Sequence, residues 1–172
     1  MFIDASVIVA ILVPEADAEV YLERLEKHGG PFFLSPLVRF EAAISLARAK
    51  LRSRNDHRNP TPEMIALTRD AVDYFIEDLQ IQEIPISSAI GVAALDAAVT
   101  YGKAVGHPAD LNFGDCFAYA CAKTHRLPLL YKGNDFAKTD LAQPPTSAHP
   151  PDAPPPPRPR SRIPSTAANR LR

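Results

Sequence analysis

The sequence predicts an α/β fold with a central parallel sheet and helices on both faces. Three observations predict it. Short apolar runs (Phe2-Ile3, Phe32-Phe33-Leu34, Ile81 to Ile86 and Leu127 to Tyr131) alternate with longer segments of helical periodicity. The first and last of these runs lead straight into a polar or acidic stretch. No internal repeat interrupts the alternation, so a single layered domain is expected.

The first apolar run ends at Asp4, and Ser6 to Val13 reads as a short helix closed by Pro14. Ala16 to Lys27 is amphipathic, with Val20, Leu22 and Leu25 set among Glu19, Glu23, Arg24 and Glu26. His28-Gly29-Gly30-Pro31 is a strong stop, and Phe32 to Leu34 forms the second strand. Ser35-Pro36 then starts a helix with a capping hydroxyl and a proline in its first turn. It runs to about Arg54, with Leu37, Phe40, Ile44, Ala47 and Leu51 as the expected buried stripe. Glu41 falls at the edge of that stripe, where a solvated Glu is out of place.

Arg54 to Pro62 is polar and turn-rich. Thr61-Pro62 repeats the capped start, and a helix follows to about Leu79. Ile81 to Ile86 reads as a strand and Ser87 to about Tyr101 as an Ala-rich helix. Gly106, His107 and Pro108 mark a loop. Asn112 caps a helix carrying Cys116, Phe117, Tyr119, Ala120 and Cys121. Leu127 to Tyr131 is the last clear strand, Lys132 to Phe136 a turn at its carboxyl end. A short element around Thr139-Asp140-Leu141 is expected to close the sheet.

Composition divides the 172 residues in two. Ten of the 18 prolines lie between Pro144 and Pro164. The expected organisation is a folded body, residues 1–142, and a Pro/Arg-rich tail, residues 143–172, too poor in apolar periodicity to build a core. The tail carries a net charge of +4 and the body −5. An acidic body argues against non-specific nucleic-acid binding by bulk charge, but leaves open a nucleic-acid enzyme whose acids are neutralised by metal ions. Cys116 and Cys121, the only cysteines, fit no zinc spacing and suit a reducing compartment. With no signal segment and no apolar run long enough to span a bilayer, a cytoplasmic protein without membrane association is expected. The five histidines are scattered, which argues against a zinc hydrolase.

Four carboxylates occupy comparable places. Asp4 ends the first strand, Glu41 edges the helix after the second, Asp115 sits in the first turn of a late helix, and Asp135 follows the last strand. In a parallel sheet, strand carboxyl ends and the amino ends of the following helices share one edge. Each acid also has a purely local explanation: Asp4 and Asp115 suit helix caps, and Asp135 suits a turn. If all four converge, they repel one another, and a hard divalent cation relieves the repulsion. Oxygen-only ligation favours Mg²⁺ or Mn²⁺ over zinc, and such ions promote in-line displacement at a phosphodiester. Arg48 and Arg52 continue the Glu41 edge of their helix, either as a phosphate-contact edge or as a solvated helix end.

At these positions the sequence resembles a known family. Phe2-Ile3-Asp4-Ala5-Ser6-Val7-Ile8-Val9-Ala10, Arg39-Phe40-Glu41-Ala42, Leu111 to Ala120 and Lys132 to Asp140 look like the four acidic motifs of PIN-domain ribonucleases, and most closely those of VapC-type toxins of bacterial toxin–antitoxin pairs. The resemblance covers about Met1 to Leu141. It implies a PIN-like three-layer fold and a metal-dependent endoribonuclease using Mg²⁺ or Mn²⁺. It also implies a homodimer and a cognate antitoxin protein as partner. Asp4 and Asp115 would be the main metal ligands, Asp135 would complete the shell, and Glu41 would orient water or bind a second ion. Ser6 matches a hydroxyl position beside the first acid. Asn134 is an auxiliary residue, and Asp140 a nearby competitor of Asp135. The alternatives are a non-catalytic interaction module whose acids are caps, and a DNA-directed nuclease with the same site. A receiver-like phosphoacceptor is disfavoured, since no acid ends the Phe32–Leu34 run.

Overall fold

The structure is a computed structural model and describes residues 1–142. The Pro/Arg-rich tail expected from residue 143 onward lies outside the described residues. In chain order the elements are β1 (Phe2–Ile3), α1 (Ala5–Leu12), α2 (Ala18–His28), β2 (Phe33–Leu34), α3 (Pro36–Ser53), α4 (Pro62–Asp78), β3 (Gln82–Glu83), α5 (Ser88–Tyr101), α6 (Phe113–Thr124) and β4 (Leu129–Leu130). Single 3-10 turns cover Lys103–Val105 and Phe136–Lys138.

The four strands form one parallel sheet in the order β3-β2-β1-β4. Phe2 pairs with Phe33 on one side and with Leu129 on the other. Successive strand residues point to opposite faces, yet Phe2, Ile3, Leu129 and Leu130 are all fully buried. Both faces of the sheet centre are therefore covered, as parallel sheets require. Each such side chain contributes roughly 1.5–3 kcal/mol by its burial. β3, at one edge, is the exception: Gln82 and Glu83 are exposed, and a polar edge strand resists pairing with other chains.

The strand order has a direct consequence. The chain steps outward from β1 to β2 to β3, then crosses back to place β4 on the far side of β1. Right-handed crossovers put the helices of the return connection on the opposite face. The packing agrees, since α1 lies against α2, α3 and α4, while α5 packs on α6. The reversal falls between β1 and β4, and in open α/β sheets the crevice at such a switch point is where ligands bind. Asp4 follows β1, and the Lys132–Asp135 turn follows β4.

Two expectations about packing and one about topology need correction. The buried stripe of α3 is Val38, Ala42, Leu46 and Ala49, with Ala43, Ala47 and Leu51 beside it, rotated by about one residue from the Leu37-Phe40-Ile44 line. Phe40 is 66% exposed. α3 packs against α1, α4 and α6, and its alanines let three neighbours approach closely, which size-based reading of the apolar positions does not anticipate. In α2 the inward residues are Ala18, Tyr21 and Leu25, whereas Val20 is exposed. The segment around Thr139-Asp140-Leu141 forms no strand. Asp140 accepts a hydrogen bond from Tyr119 Oη (2.7 Å) and pairs with Lys123, so this segment is tied to α6 instead.

Candidate active site

Asp4, Glu41, Asp115 and Asp135 line one cleft of about 300 Å³ at the carboxyl edge of β1 and β4. Ser6, Val9, Glu15, Ser45, Asn112, Lys132 and Phe136 complete its wall with Ala5. The acids come from four separate parts of the chain, and each is placed by a different local device.

Asp4 is the N-cap of α1. Its Oδ2 accepts hydrogen bonds from Ser6 N (2.9 Å) and Ser6 Oγ (2.5 Å). The Asp4 amide donates to Leu130 O across the sheet (2.9 Å). Ser6 Oγ also accepts from the Lys132 amide (3.0 Å), so one hydroxyl links the ends of the two strands that flank the switch point. Asp4 is buried, and its carboxyl is held above the ordinary range. Loss of water is the main cause, opposed by the Ser6 and Ala5 bonds and reinforced by the charge of Asp135.

Asp115 sits at the third position of α6 in a full capping box. Asn112 Oδ1 accepts from the Asp115 amide (3.1 Å), and Asp115 Oδ2 accepts from the Asn112 amide (2.8 Å). The local explanations for Asp4 and Asp115 are thus both correct, and both residues face the cleft as well. Burial raises Asp115 to about 6 against the pull of the Asn112 bond, with the charges of Asp4, Asp135 and Asp110 adding to the rise.

Glu41 reaches the cleft from the side of α3. Burial, then the charges of Asp4 and Asp115, push it up to about 7, and no hydrogen bond offsets them. Its carboxylate lies over Gly114 in the first turn of α6: a Cβ built on Gly114 would overlap Glu41 Oε2 and lie 3.0 Å from Cδ. Asp135 is exposed and opens the Phe136–Lys138 turn without making a side-chain cap bond.

The remaining expected residues divide. Ser6 is in the cleft wall; Asn134 is exposed and does not line it. Arg48 and Arg52 are exposed and lie outside the cleft, on the continuation of the Glu41–Ser45 edge of α3. Sequence reasoning missed Glu15, Ser45, Lys132 and Gly114. A glycine in the first turn of an otherwise well-capped helix is a signal that could have pointed to close approach there. Lys132 carries no such signal.

No group of three His, Cys, Asp or Glu side chains among the described residues is arranged to hold a metal ion by itself. The donor set nevertheless suits a hard divalent cation: oxygen donors only, drawn together, partly dehydrated and mutually repelling. Mg²⁺ keeps several of its waters and takes only one or two carboxylates directly, so it needs no closed protein shell.

Residues 1–141 match the PIN domain. The chain is 49% identical over 140 residues to a VapC ribonuclease of Rhizobium meliloti, covering 81% of this chain and 98% of that protein. It is 36% identical over 141 residues to ribonuclease VapC42 of Mycobacterium tuberculosis (82% and 96% covered). Ribonuclease VapC28 of the same organism is 37% identical over 141 residues (82% and 95% covered).

Proposed function

The chain belongs to the PIN-domain family, and we propose that it is a divalent-metal-dependent endoribonuclease, the toxin of a toxin–antitoxin pair. One observation carries the reading to the residues: four acids from four separate segments line one cleft at the strand-order reversal, with Glu41 and Asp115 pushed up to about 7 and about 6.

Asp4 and Asp115 would hold the ion, with Asp135 at the open side completing its surroundings; Mg²⁺ or Mn²⁺ fits an all-oxygen set. When bound, the ion supplies charge neutralisation at the scissile phosphate and activation of the attacking water. Ser6 fixes the Asp4 carboxylate in one orientation through two hydrogen bonds. Glu41 lies near neutrality, where a carboxylate both accepts and releases a proton readily, and it orients the attacking water or takes a second ion. Val9 and Phe136 give the cleft an apolar wall beside the acids.

Arg48 and Arg52 extend the site along α3. They lie seven and eleven residues beyond Glu41, roughly 10 and 16 Å along the axis, and are proposed to contact the phosphates of a single-stranded or looped RNA. DNA cleavage by the same residues is the second reading.

The protein is proposed to act as a homodimer and to be inhibited by a small antitoxin protein. Val92, Leu95 and Val99 on α5 are 60%, 69% and 72% exposed, and Phe113 on α6 is 70% exposed. Val92, Leu95 and Phe113 border an apolar groove of about 790 Å³ between α5 and α6. Large apolar surfaces of this kind mark protein contacts, and a second copy of the same face is the occupant proposed. No helix among the described residues is long and apolar enough to cross a membrane. The buried free thiols Cys116 and Cys121 suit the reducing cytoplasm, where the protein is proposed to act within a body formed by residues 1–142.

The test is cleavage of a defined RNA by purified protein with Mg²⁺ or Mn²⁺, with excess chelator, and with single-stranded DNA in place of RNA. Metal-dependent cutting of RNA is expected. Undiminished cutting in chelator overturns the metal site, and cutting of DNA alone favours the second reading.

A further inference from the structure

Lys132 is the one basic side chain that lines the acidic cleft among the described residues. Its backbone is fixed close to the proposed chemistry. The Lys132 amide donates to Ser6 Oγ (3.0 Å), and that hydroxyl in turn donates to Asp4 Oδ2 (2.5 Å). The side chain runs from this fixed point to the cleft rim. There Nζ donates to Glu15 Oε2 and to Asp17 Oδ1 (2.8 Å), both in the segment around the start of α2. Asp17 also accepts from Tyr21 Oη (3.2 Å).

The exposure of this group matters. The side chains of Lys132, Glu15 and Asp17 are 32%, 36% and 38% exposed. Ion pairs that remain open to water are weak enough for a competing anion to displace. The cleft must admit a polyanion past Asp4, Glu15, Glu41, Asp115 and Asp135. A metal ion offsets charge at its own position; phosphates on either side of the scissile one need another cation.

We propose that Lys132 is a substrate-binding residue that takes a non-bridging oxygen of an RNA phosphate at the cleft, and that Glu15 and Asp17 hold its ammonium on the rim until RNA displaces them. This rests on the ribonuclease reading of the same cleft. On this account Glu15 and Asp17 oppose binding: they compete with the phosphate for one ammonium group. The rival account makes the three residues a clamp that fastens the α1–α2 connection to the β4 end. The two accounts predict opposite effects for removing the acids.

The experiment is steady-state cleavage of a defined RNA by wild type, Lys132→Met, Lys132→Arg and the double variant Glu15→Gln/Asp17→Asn, across a series of salt concentrations, with thermal melts of each. Met keeps the packing of the lysine stem and removes only the charge. Lys132→Met is expected to raise KM about tenfold, within the range of a charge-assisted hydrogen bond, with a smaller change in kcat. Its slope of log(kcat/KM) against log salt should be shallower by about 0.7, the loss of one single-strand phosphate contact. Lys132→Arg should recover most of the affinity. The double variant should bind RNA as tightly as wild type or more tightly. If the double variant and Lys132→Met lose activity and melting temperature in parallel, with salt slopes unchanged, the residues are a clamp and the proposal is overturned. A wild-type protein that cuts no RNA overturns the ribonuclease reading and this one with it. A wild-type protein that cuts, beside a Lys132→Met variant with unaltered KM and slope, overturns this one alone.

Discussion

The Glu41 carboxylate fills the space that a side chain on Gly114 would need: a Cβ placed there would overlap Glu41 Oε2. α3 and α6 meet at this point, and the missing Cβ lets a carboxylate from one helix lie against the first turn of the other. Glu41 can swing away because only the far end of a flexible side chain is in the way.

Gly114→Ala should therefore separate stability from activity. The fold should survive, since no backbone atom obstructs the new methyl group. Replacing a helical glycine by alanine favours the helix by about 0.5–1 kcal/mol, so the melting temperature should be unchanged or slightly higher. RNA cleavage should fall at least tenfold as Glu41 is displaced. Combining it with Glu41→Asp, whose shorter side chain leaves room for the methyl group, should recover part of the loss. An active Gly114→Ala enzyme would show that the Glu41 position is not needed.

The raised acids make a pH prediction for the metal-free protein. Glu41 stands at about 7 in the fold against an ordinary value of 4.5, and Asp115 at about 6 against 3.8. Below the ordinary values both states are protonated and the shifts cost nothing. As pH rises through the window from about 4 to 7, the unfolded chain releases these protons first, so the fold loses stability. The chelated protein should melt at a lower temperature at pH 8 than at pH 5. Glu41→Gln should flatten that decline, and Mn²⁺ should restore more stability at pH 8 than at pH 5. An identical pH profile for wild type and Glu41→Gln in chelator would mean that Glu41 is not held out of its ordinary range.

The parts of this molecule that were legible in the sequence are those where local chemistry and global position coincide. The parallel sheet was legible because each buried strand is a short apolar run. Asp4 and Asp115 were legible because their helix starts carry strong capping patterns, and strand order sends those starts to one edge. The rotation of the α3 stripe was not legible. Burial on α3 follows the alanines that let α1, α4 and α6 approach, and Phe40 stays outside because no helix covers it. Lys132 was not legible either, because its role depends on Glu15 and Asp17, brought to it across more than a hundred residues of chain. Asp140 resembled a second acid for the fourth motif, and only Tyr119 and Lys123 reveal it as an anchor for the chain after the last turn.

The α5–α6 face offers a test of assembly. Leu95 is 69% exposed in the wall of the apolar groove. Leu95→Glu should leave the melting temperature nearly unchanged at low concentration, because the residue contributes little to the core of one chain. It should convert a dimer to a monomer in sedimentation or light scattering, because a buried unpaired carboxylate on each copy opposes association. A wild type that is monomeric at all concentrations measured would remove this face as a self-contact.

Asp115→Asn tests whether the residue is more than a cap. The capping box needs an acceptor at this position for the Asn112 amide, now supplied by Asp115 Oδ2 at 2.8 Å, and an amide oxygen provides one. The helix-start role should therefore survive at the cost of the dipole term, about 0.3–1 kcal/mol. Against that cost stands the relief of bringing one fewer charge into the cleft beside Asp4 and Asp135. The metal-free variant should be as stable as wild type or more stable at pH 8, and the difference should shrink at pH 5, where the native acid is already protonated. Its gain in melting temperature from Mn²⁺ should be small, because a neutral amide is a poorer ligand for a hard dication, and RNA cleavage should be abolished. Stability without metal and activity with it would then move in opposite directions, as at sites that hold destabilising charge for function. A variant that gains as much from Mn²⁺ as wild type and still cuts RNA would leave Asp115 as a helix cap alone.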